Sequence, residues 1–517
     1  MTDHVTKQRS LLAKNSIFNL IGMILPMFVG VVTIPSIIHG LGADGYGILS
    51  IAWLVLGYFS IFDLGLSRAT VKFVSENLSP EKIHKVPELV WTSLSLLVGL
   101  GCVGAVLTAS LVPYAVTHFF KMSPSFTGQA RSSLFILCLA LPILLANDSL
   151  RGVLEATQRF DLVNIVKVPS SILFYLLAAL VIPFNVHVTG IVCLLVLVRL
   201  ISSFAYLSFC FREIPELRRN IRVSRAATRP LAVYGGWVML TNIVSPIFGS
   251  LERFMIASII SVGMLTYYSA PYDLVSKLLI FPASIVPSLF PYFSFHGSRS
   301  GTEVSEVTSR VIKYLTILMV PLTAVFVFFA REILQLWLGP QFAQESARVL
   351  QMVAILFFLN AFAMIPFTTV QALGRPELKA ILDLFVLPFY AFIAWWLMKR
   401  MGINGAALAK LIITIIDCTF LYWFARRLNA FSLRDCFFGP LSRTFVVSGV
   451  LCTIIYLIKL LHASIPVTVI LLTLSFLCFF GVCWSVSVDN EDRATLKAVI
   501  HQFLGGLKRK QSDPTLS

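Results

Sequence analysis

Charged residues are scarce in this sequence of 517 residues: they make up 13% of it, whereas hydrophobic residues make up 57%. The nine cysteines form no CxxC pair, so neither a disulfide framework nor a zinc site is expected. HExxH and DxD motifs are also lacking, and no long polar insertion interrupts the apolar runs. These absences argue against a membrane-embedded glycosyltransferase or ligase, which would need a catalytic motif and room for a catalytic domain.

The most prominent feature of the sequence is a succession of long apolar runs, and its mean hydropathy is +0.86. A helix needs about 20 apolar residues to cross a bilayer. The runs are continuously apolar rather than alternating, which favours helices over a β-barrel. The sequence therefore predicts an all-α polytopic membrane protein with about 14 transmembrane helices. The predicted spans are 13–38, 46–66, 89–115, 131–150, 161–184, 188–211, 231–260, 266–294, 311–330, 349–373, 380–398, 404–425, 440–461 and 465–487.

The basic residues lie mainly in alternate loops. The net charge is +16, and 29 of the 41 lysines and arginines lie on one side of the predicted spans, against seven on the other. Cytoplasmic loops of membrane proteins accumulate Lys and Arg, so this surplus predicts that both termini are cytoplasmic. Because the rule explains the basic character, no nucleic-acid partner is expected.

The chain also repeats itself. Residues 154–162 align with residues 370–378 at an offset of 216, and Gly42 and Tyr46 match a glycine and a tyrosine after the seventh span. Pro26 and Pro246 lie in the first and seventh spans, and a proline bends a helix. We therefore predict two six-helix bundles in parallel repeat plus two extra C-terminal helices, with Pro26 and Pro246 as hinges for rocking of the bundles.

This repeat suggests a division of the chain into five parts. They are an N-terminal six-helix bundle (1–211), a basic cytoplasmic linker (212–230), a C-terminal six-helix bundle (231–427), an extra transmembrane helix pair (428–487) and a cytoplasmic tail (488–517).

Five cations fall within the predicted spans. Each costs about 2.5–3.5 kcal/mol at the centre of a bilayer, so they are expected to face protein or a watery cavity. For each one, an interhelical ion pair or a side chain that snorkels to the interface is the alternative. The sequence predicts a cationic, substrate-binding cavity formed by Lys167, Arg199, Arg253, Lys277 and Lys410.

Several carboxylates lie at a similar depth. Asp273 precedes Lys277 by four residues and is expected to pair with it on one helix face. Lys167 and Arg199 have no acidic neighbour within a turn of their own helices, which suits an anionic ligand. If transport is coupled to an ion, the candidate coupling residues are Glu252, Asp273 and Asp417.

Four short segments carry a family resemblance. They are residues 34–42 (IPSIIHGLG), 63–67 (DLGLS), 336–339 (LWLG) and 371–376 (QALGRP). With them the chain, from residue 12 to about 427, resembles the polysaccharide-unit flippases (O-antigen, or Wzx-type, flippases). These belong to the multidrug/oligosaccharidyl-lipid/polysaccharide (MOP) exporter superfamily.

This resemblance implies a MATE-like core of twelve helices in two bundles around a central cavity. It also implies a flippase, not an enzyme, that moves an undecaprenyl-diphosphate-linked oligosaccharide from the cytoplasmic to the outer leaflet for surface polysaccharide biosynthesis. The expected location is the bacterial inner membrane. The expected partners are the anionic lipid-linked oligosaccharide, membrane lipid and a polysaccharide polymerase or ligase. No cofactor is expected apart from a coupling ion, H⁺ or Na⁺.

Two alternatives come from the same superfamily. One is a cation-coupled multidrug exporter, which favours cationic substrates and would need an acidic cavity. The other is the flippase of the cell-wall precursor, lipid II, whose substrate chemistry is too similar for composition to separate.

Overall fold

The computed structural model of the chain describes residues 2–79, 81–224, 228–229, 247–286, 289–296, 301–428 and 440–487. Over these ranges the regular structure is helical and contains no strand. Eleven helices in them are long and apolar enough to cross a membrane. The prediction of an all-α polytopic membrane protein is confirmed. The tail 488–517 and the predicted hinge Pro246 lie outside the described residues.

The chain forms two compact units that interleave along the sequence. The first consists of Met1–Ile280, Arg331–Val353 and Glu377–Ile413, and the second of Phe281–Ala330, Ala354–Pro376 and Thr414–Ser517. The five-part division of the sequence stays a prediction.

Ten α-helices of four or more residues lie in the described ranges before residue 286. They are α1 (Thr2–Tyr58), α2 (Leu66–Glu76), α3 (Val86–Tyr114), α4 (Pro124–Ala156), α5 (Phe160–Val181), α6 (Val188–Glu213), α7 (Glu216–Arg219), α8 (247–255), α9 (Val262–Ser276) and α10 (Ile280–Ile285). Helix α1 is broken at Gly42, whose φ of 71° and ψ of 175° are not helical. Glycine tolerates this conformation because it has no Cβ. The single element α1 therefore contains the first predicted span and residues 46–58 of the second.

Eight helices lie in the described ranges after residue 286. They are α11 (Leu289–His296), α12 (Gly301–Phe328), α13 (Ala330–Leu338), α14 (Pro340–Ala372), α15 (Glu377–Met401), α16 (Ile403–Arg427), α17 (Pro440–Leu460) and α18 (Ile465–Val486). In the second unit α17 packs against α12 and α18. The most apolar stretch of α18 is only 6% buried, as expected of a helix that faces lipid.

In the first unit, α4 packs between α3 and α6, and α1 packs against α5 and α9. The approach of α3 to α4 is close because Gly101 lies at it: a Cβ at this position would be 2.6 Å from the Cα of Pro142. Small residues allow helix backbones to approach in membranes, where packing rather than the hydrophobic effect drives association.

The turn after α4 and the turn after α14 have the same backbone conformation. Gln158 and Gly374 both have positive φ, 58° and 75°. The amide of the next residue donates to the carbonyl five residues before it, at 2.9 and 3.1 Å respectively. This is the bond that closes a Schellman motif at a helix end. The sequence match at an offset of 216 thus extends to the backbone.

A proline inside a helix leaves the carbonyl four residues earlier without its helical donor. At three of the prolines, Pro35, Pro271 and Pro366, a side chain from another helix donates to that carbonyl. The donor and acceptor pairs are Trp337 Nε1 and Val31 O (freed by Pro35) at 2.9 Å, Ser346 Oγ and Tyr267 O (Pro271) at 2.7 Å, and Tyr422 Oη and Phe362 O (Pro366) at 3.2 Å. Each bent helix is thereby attached to a neighbour at its bend.

Candidate functional site

Glu252 is the most deeply buried carboxylate of the predicted site, with no exposed side-chain surface. The Nζ of Lys410 lies 3.3 Å from its Oε2 and donates to the carbonyl of Phe248 at 2.6 Å. The hydroxyl of Tyr390 donates to Oε2 at 2.6 Å, and that of Tyr268 to Oε1 at 3.4 Å. Helices α8, α9, α15 and α16 meet here, and the charges of Glu252 and Lys410 neutralise one another. A buried pair persists when such added hydrogen bonds offset its desolvation.

Arg253, the next residue, points to a different partner. Its Nη2 donates to the Oδ1 of Asp273 at 2.9 Å, and its guanidinium carbon lies 4.0 Å from the centroid of the Tyr272 ring. The expected pair of Asp273 with Lys277 is wrong: the carboxylate turns to α8 instead. An arginine fits this position because it can pair with a carboxylate and stack on a ring at once.

The other predicted residues lie apart from these two pairs. The Nζ of Lys277 is half-buried, 5.9 Å from the centroid of the Tyr175 ring. Asp417 is half-buried on α16, in the second compact unit. Pro26 is buried within α1. The roles assigned to these residues, as hinge, ligand or coupling group, stay predictions.

Lys167 is exposed, yet it lies on the face of α5 between two contacts with neighbouring helices. At 3.6 residues per turn, it falls midway between Asn164, which packs against α1, and Ser170, which bonds to α6. On the opposite face lie Ile165, 59% exposed, and Pro169. An exposed cation on the face between two packed neighbours indicates solvent-accessible space inside the bundle.

Arg199 occupies the corresponding face of α6. It falls between Ser202, which bonds to α5, and Ser203, which accepts from Asn147 of α4 at 3.2 Å. The opposite face carries the exposed apolar side chain of Ile201. Arg199 is itself exposed, so it too lines space within the bundle.

The hydroxyls of Ser170 and Ser202 are 2.6 Å apart and hold α5 and α6 in register. Lys167 lies three residues before Ser170, and Arg199 lies three residues before Ser202. Because the two helices run in opposite directions, the cations lie on either side of this bond, each displaced by about 4.5 Å along its helix. Among the described residues no carboxylate lies within ion-pair distance of either one. Asp148 of α4 pairs with Arg151 at 3.4 Å.

Sequence reasoning missed the two tyrosines around Glu252 and the ion pair of Lys379 with Asp383, 2.5 Å apart on α15. The i,i+4 spacing of that pair was a usable signal. The tyrosines gave no signal, because neither lies within a turn of Glu252 along the chain.

Sequence reasoning also missed a cavity of about 720 Å³ at the turns that follow α3 and α8. Its polar lining residues are Asp44, Thr117, His118, Lys121, Ser123, Thr127 and Ser261. By the predicted topology these turns lie on the extracytoplasmic side.

Two solved transporter structures share the fold of the chain. The lipid II flippase MurJ, in an inward closed conformation, has a TM-score of 0.71 at 14% identity, covering 92% of this chain and 99% of that one. An inward-facing multidrug resistance MATE family transporter of the MOP superfamily has a TM-score of 0.69, also at 14% identity, covering 80% and 98%. At this identity the likeness establishes the fold alone, and it confirms the MATE-like core.

Sequence relatives point the same way. A putative O-antigen transporter of Shigella flexneri is 27% identical over 420 residues, which cover 80% of this chain and 98% of the relative. An uncharacterized membrane protein of Methanocaldococcus jannaschii is 22% identical over 393 residues, 73% and 77% of the two chains. The relatives and neighbours with a named activity are transporters and flippases, not enzymes. A family model described as polysaccharide biosynthesis protein matches residues 12–295, which is more than half of the chain, and the chain therefore belongs to that family.

Proposed function

We propose that this protein flips an undecaprenyl-diphosphate-linked oligosaccharide from the cytoplasmic to the outer leaflet of the bacterial inner membrane, with both of its own termini in the cytoplasm. The observation that carries the proposal is the pair Lys167 and Arg199, two exposed cations on the inner faces of α5 and α6 with no carboxylate at ion-pair distance in the described chain. Membership of the polysaccharide biosynthesis protein family and the likeness to an O-antigen transporter support the substrate class.

The chemistry of a diphosphate suits this pair. Its charge must leave water when the lipid enters the membrane, and charge-assisted hydrogen bonds to Lys and Arg replace the lost hydration. The long side chains of Lys167 and Arg199 can converge on one ligand at the level of the Ser170–Ser202 bond. Arg253 and Lys410 contribute less, because Asp273 and Glu252 already neutralise them.

Transport proceeds in this proposal by alternating access of the two repeats. An inside-negative potential favours outward movement of the anion by about 2.3 kcal/mol per charge per 100 mV, so ion coupling is not required for the outward step. Return of the empty cationic site is the step at which H⁺ or Na⁺ would act, with Glu252, Asp273 or Asp417 as the coupling residue. If neutralising each of the three leaves the dependence of transport on pH and sodium unchanged, this part of the proposal fails.

The first test uses a strain that lacks the protein. We expect polyprenyl-diphosphate oligosaccharide to accumulate on the cytoplasmic leaflet while drug tolerance stays unchanged. A normal glycan pool with increased drug sensitivity would instead indicate a multidrug exporter, whose cationic substrates the Lys167–Arg199 pair would repel. Accumulation of lipid II would indicate the cell-wall precursor as substrate. A polysaccharide polymerase or ligase is the proposed partner that consumes the flipped lipid.

A further inference from the structure

The turn that follows α3 inserts into a break between α8 and α9. The backbone amide of Lys121 donates to the carbonyl of Ala257 at 2.9 Å, and the amide of Val262 donates to the carbonyl of Lys121 at 2.8 Å. The Nζ of Lys121 also donates to the carbonyl of Ile259 at 2.7 Å. Helix α8 ends in a π-turn, Ile256–Ile260, before the extended residue Ser261. Lys121 thus satisfies carbonyls that the end of a helix leaves without donors.

A second set of contacts joins the break in α1 to the start of α9. The hydroxyl of Thr266 donates to the carbonyl of Ala43 at 2.6 Å. A Cβ on Gly47 would lie 2.2 Å from the carbonyl oxygen of Val262, and a Cβ on Gly263 would lie 2.5 Å from Asp44 Oδ1. Backbones can approach this closely only where side chains are absent. Gly42 and Gly263 also belong to the internal repeat, so the contact brings equivalent turns of the two repeats together.

The turn that carries Lys121 is itself tied to the α1 break, because the hydroxyl of Ser123 donates to Asp44. Lys121 and Asp44 therefore connect three segments: the α1 break, the turn after α3 and the α8–α9 break. All three lie on the predicted extracytoplasmic side.

We propose that Lys121 is the latch of an extracytoplasmic gate, and that Gly47 and Gly263 form the surface on which the gate closes. The proposal rests on alternating access as stated above. Opening towards the outside must separate the two repeats at these turns, which breaks the bonds of Lys121 to Ala257, Ile259 and Val262 and exposes their polar groups to water. Closing restores the bonds, and the two glycines allow the backbones to meet.

The test measures access from outside without any substrate, so its failure is distinct from failure of the flippase proposal. A cysteine is placed at Ser269, which is fully buried and six residues beyond Gly263 on α9, in a full-length chain whose nine native cysteines are replaced. Its rate of reaction with a membrane-impermeant maleimide is then measured in whole cells.

We expect Lys121→Met and Gly263→Ala each to raise this rate by about tenfold. The first variant loses the charge-assisted hydrogen bond from Nζ to the carbonyl of Ile259. The second places a Cβ 2.5 Å from Asp44 Oδ1, so the two turns can no longer approach as closely. Gly128→Ala is the matched control: Gly128 lies near the same end of α4, and a Cβ there meets nothing within 4 Å. A rate unchanged by both variants would overturn the proposal.

A cross-link gives a second readout that does not depend on destabilising the gate. The Cγ of Asp44 lies 3.6 Å from the position of a Cβ on Gly263, so D44C and G263C together bring a sulfur near disulfide distance. Oxidation should stop export by the double variant, and a reductant should restore it, whereas neither single variant should respond. Full export by the cross-linked protein would contradict a gate at this position.

Discussion

Two groups of intramembrane cations in the first compact unit differ in their partners. Lys410 and Arg253, near α8, each contact a carboxylate at 3.3 and 2.9 Å and are mostly or fully buried. Lys167 and Arg199, on α5 and α6, are exposed and contact no carboxylate at ion-pair distance in the described part of the chain. A charge removed from water needs a counter-charge, whereas a charge that remains exposed needs none. The first group therefore holds helices together, whereas the second has no counter-charge at ion-pair distance in the described residues.

The largest effect is expected from breaking the buried pair. Lys410→Met leaves Glu252 as an uncompensated buried carboxylate, which should lower the free energy of unfolding by about 3–5 kcal/mol. Thermal unfolding of the purified protein in detergent measures this. Adding Glu252→Gln to Lys410→Met should recover most of the loss, because it removes the remaining charge. A double variant as unstable as the single one would show that the two residues do not act as a pair.

Removing the exposed cations should affect transport rather than stability. Lys167→Ala and Arg199→Ala should each reduce glycan export by about tenfold, the value of one charge-assisted hydrogen bond, with little change in the unfolding temperature. Lys399→Ala is the matched control, since Lys399 is an exposed cation stacked on Trp395 at 4.7 Å, away from α5 and α6. Normal export by the Lys167→Ala, Arg199→Ala double variant would exclude the proposed diphosphate site.

The Arg253–Asp273 pair should have an intermediate effect. Asp273→Asn keeps the shape of the side chain but removes its charge, and should cost about 1–3 kcal/mol because Arg253 exchanges a charge-assisted hydrogen bond for a neutral one. Lys277→Met should cost less, since Lys277 does not pair with Asp273 among the described residues. Equal losses of unfolding free energy in the two variants would instead favour the Asp273–Lys277 pair expected from the sequence.

The smallest effect is expected at a proline bend. Trp337→Phe leaves the carbonyl of Val31 without its donor, at a cost of about 1 kcal/mol. Pro35→Ala supplies a backbone amide that can bond to the same carbonyl within α1, so the double variant should lose less than the sum of the two single losses. A double-mutant cycle on the unfolding free energy tests this coupling, and strict additivity would contradict it.

Much of the fold was predictable because a lipid environment permits few backbone structures. A backbone with no water to bond to becomes helical, so apolar runs such as 131–150 and 188–211 predicted helices that the structure contains within α4 and α6. The local repeat was also visible, and Gln158 and Gly374 show that it extends to backbone conformation. The break at Gly42 was predictable as well, because Gly42 falls between the first predicted span, which ends at residue 38, and the second, which begins at residue 46.

The candidate site was predictable only by residue type. The free-energy cost of burying a charge identified the five intramembrane cations. The i,i+4 spacing within each helix then suggested possible ion-pair partners. The pairing of Asp273 with Arg253 could not be predicted from helical spacing, because Arg253 lies 20 residues earlier in the chain. Tyr390 and Lys410 lie still further from Glu252, by 138 and 158 residues. Such contacts depend on which faces of separate helices meet.

By itself, then, the sequence determined a polytopic helical protein and the local repeat, because hydropathy and turn chemistry are properties of short segments. Only the tertiary structure decided which charges are neutralised. Packing places Lys410 against Glu252 and Arg253 against Asp273, and it leaves Lys167 and Arg199 exposed, with no carboxylate at ion-pair distance among the described residues. The physical reason is that an ion pair depends on distance in space, and helices far apart in sequence become neighbours only when they pack.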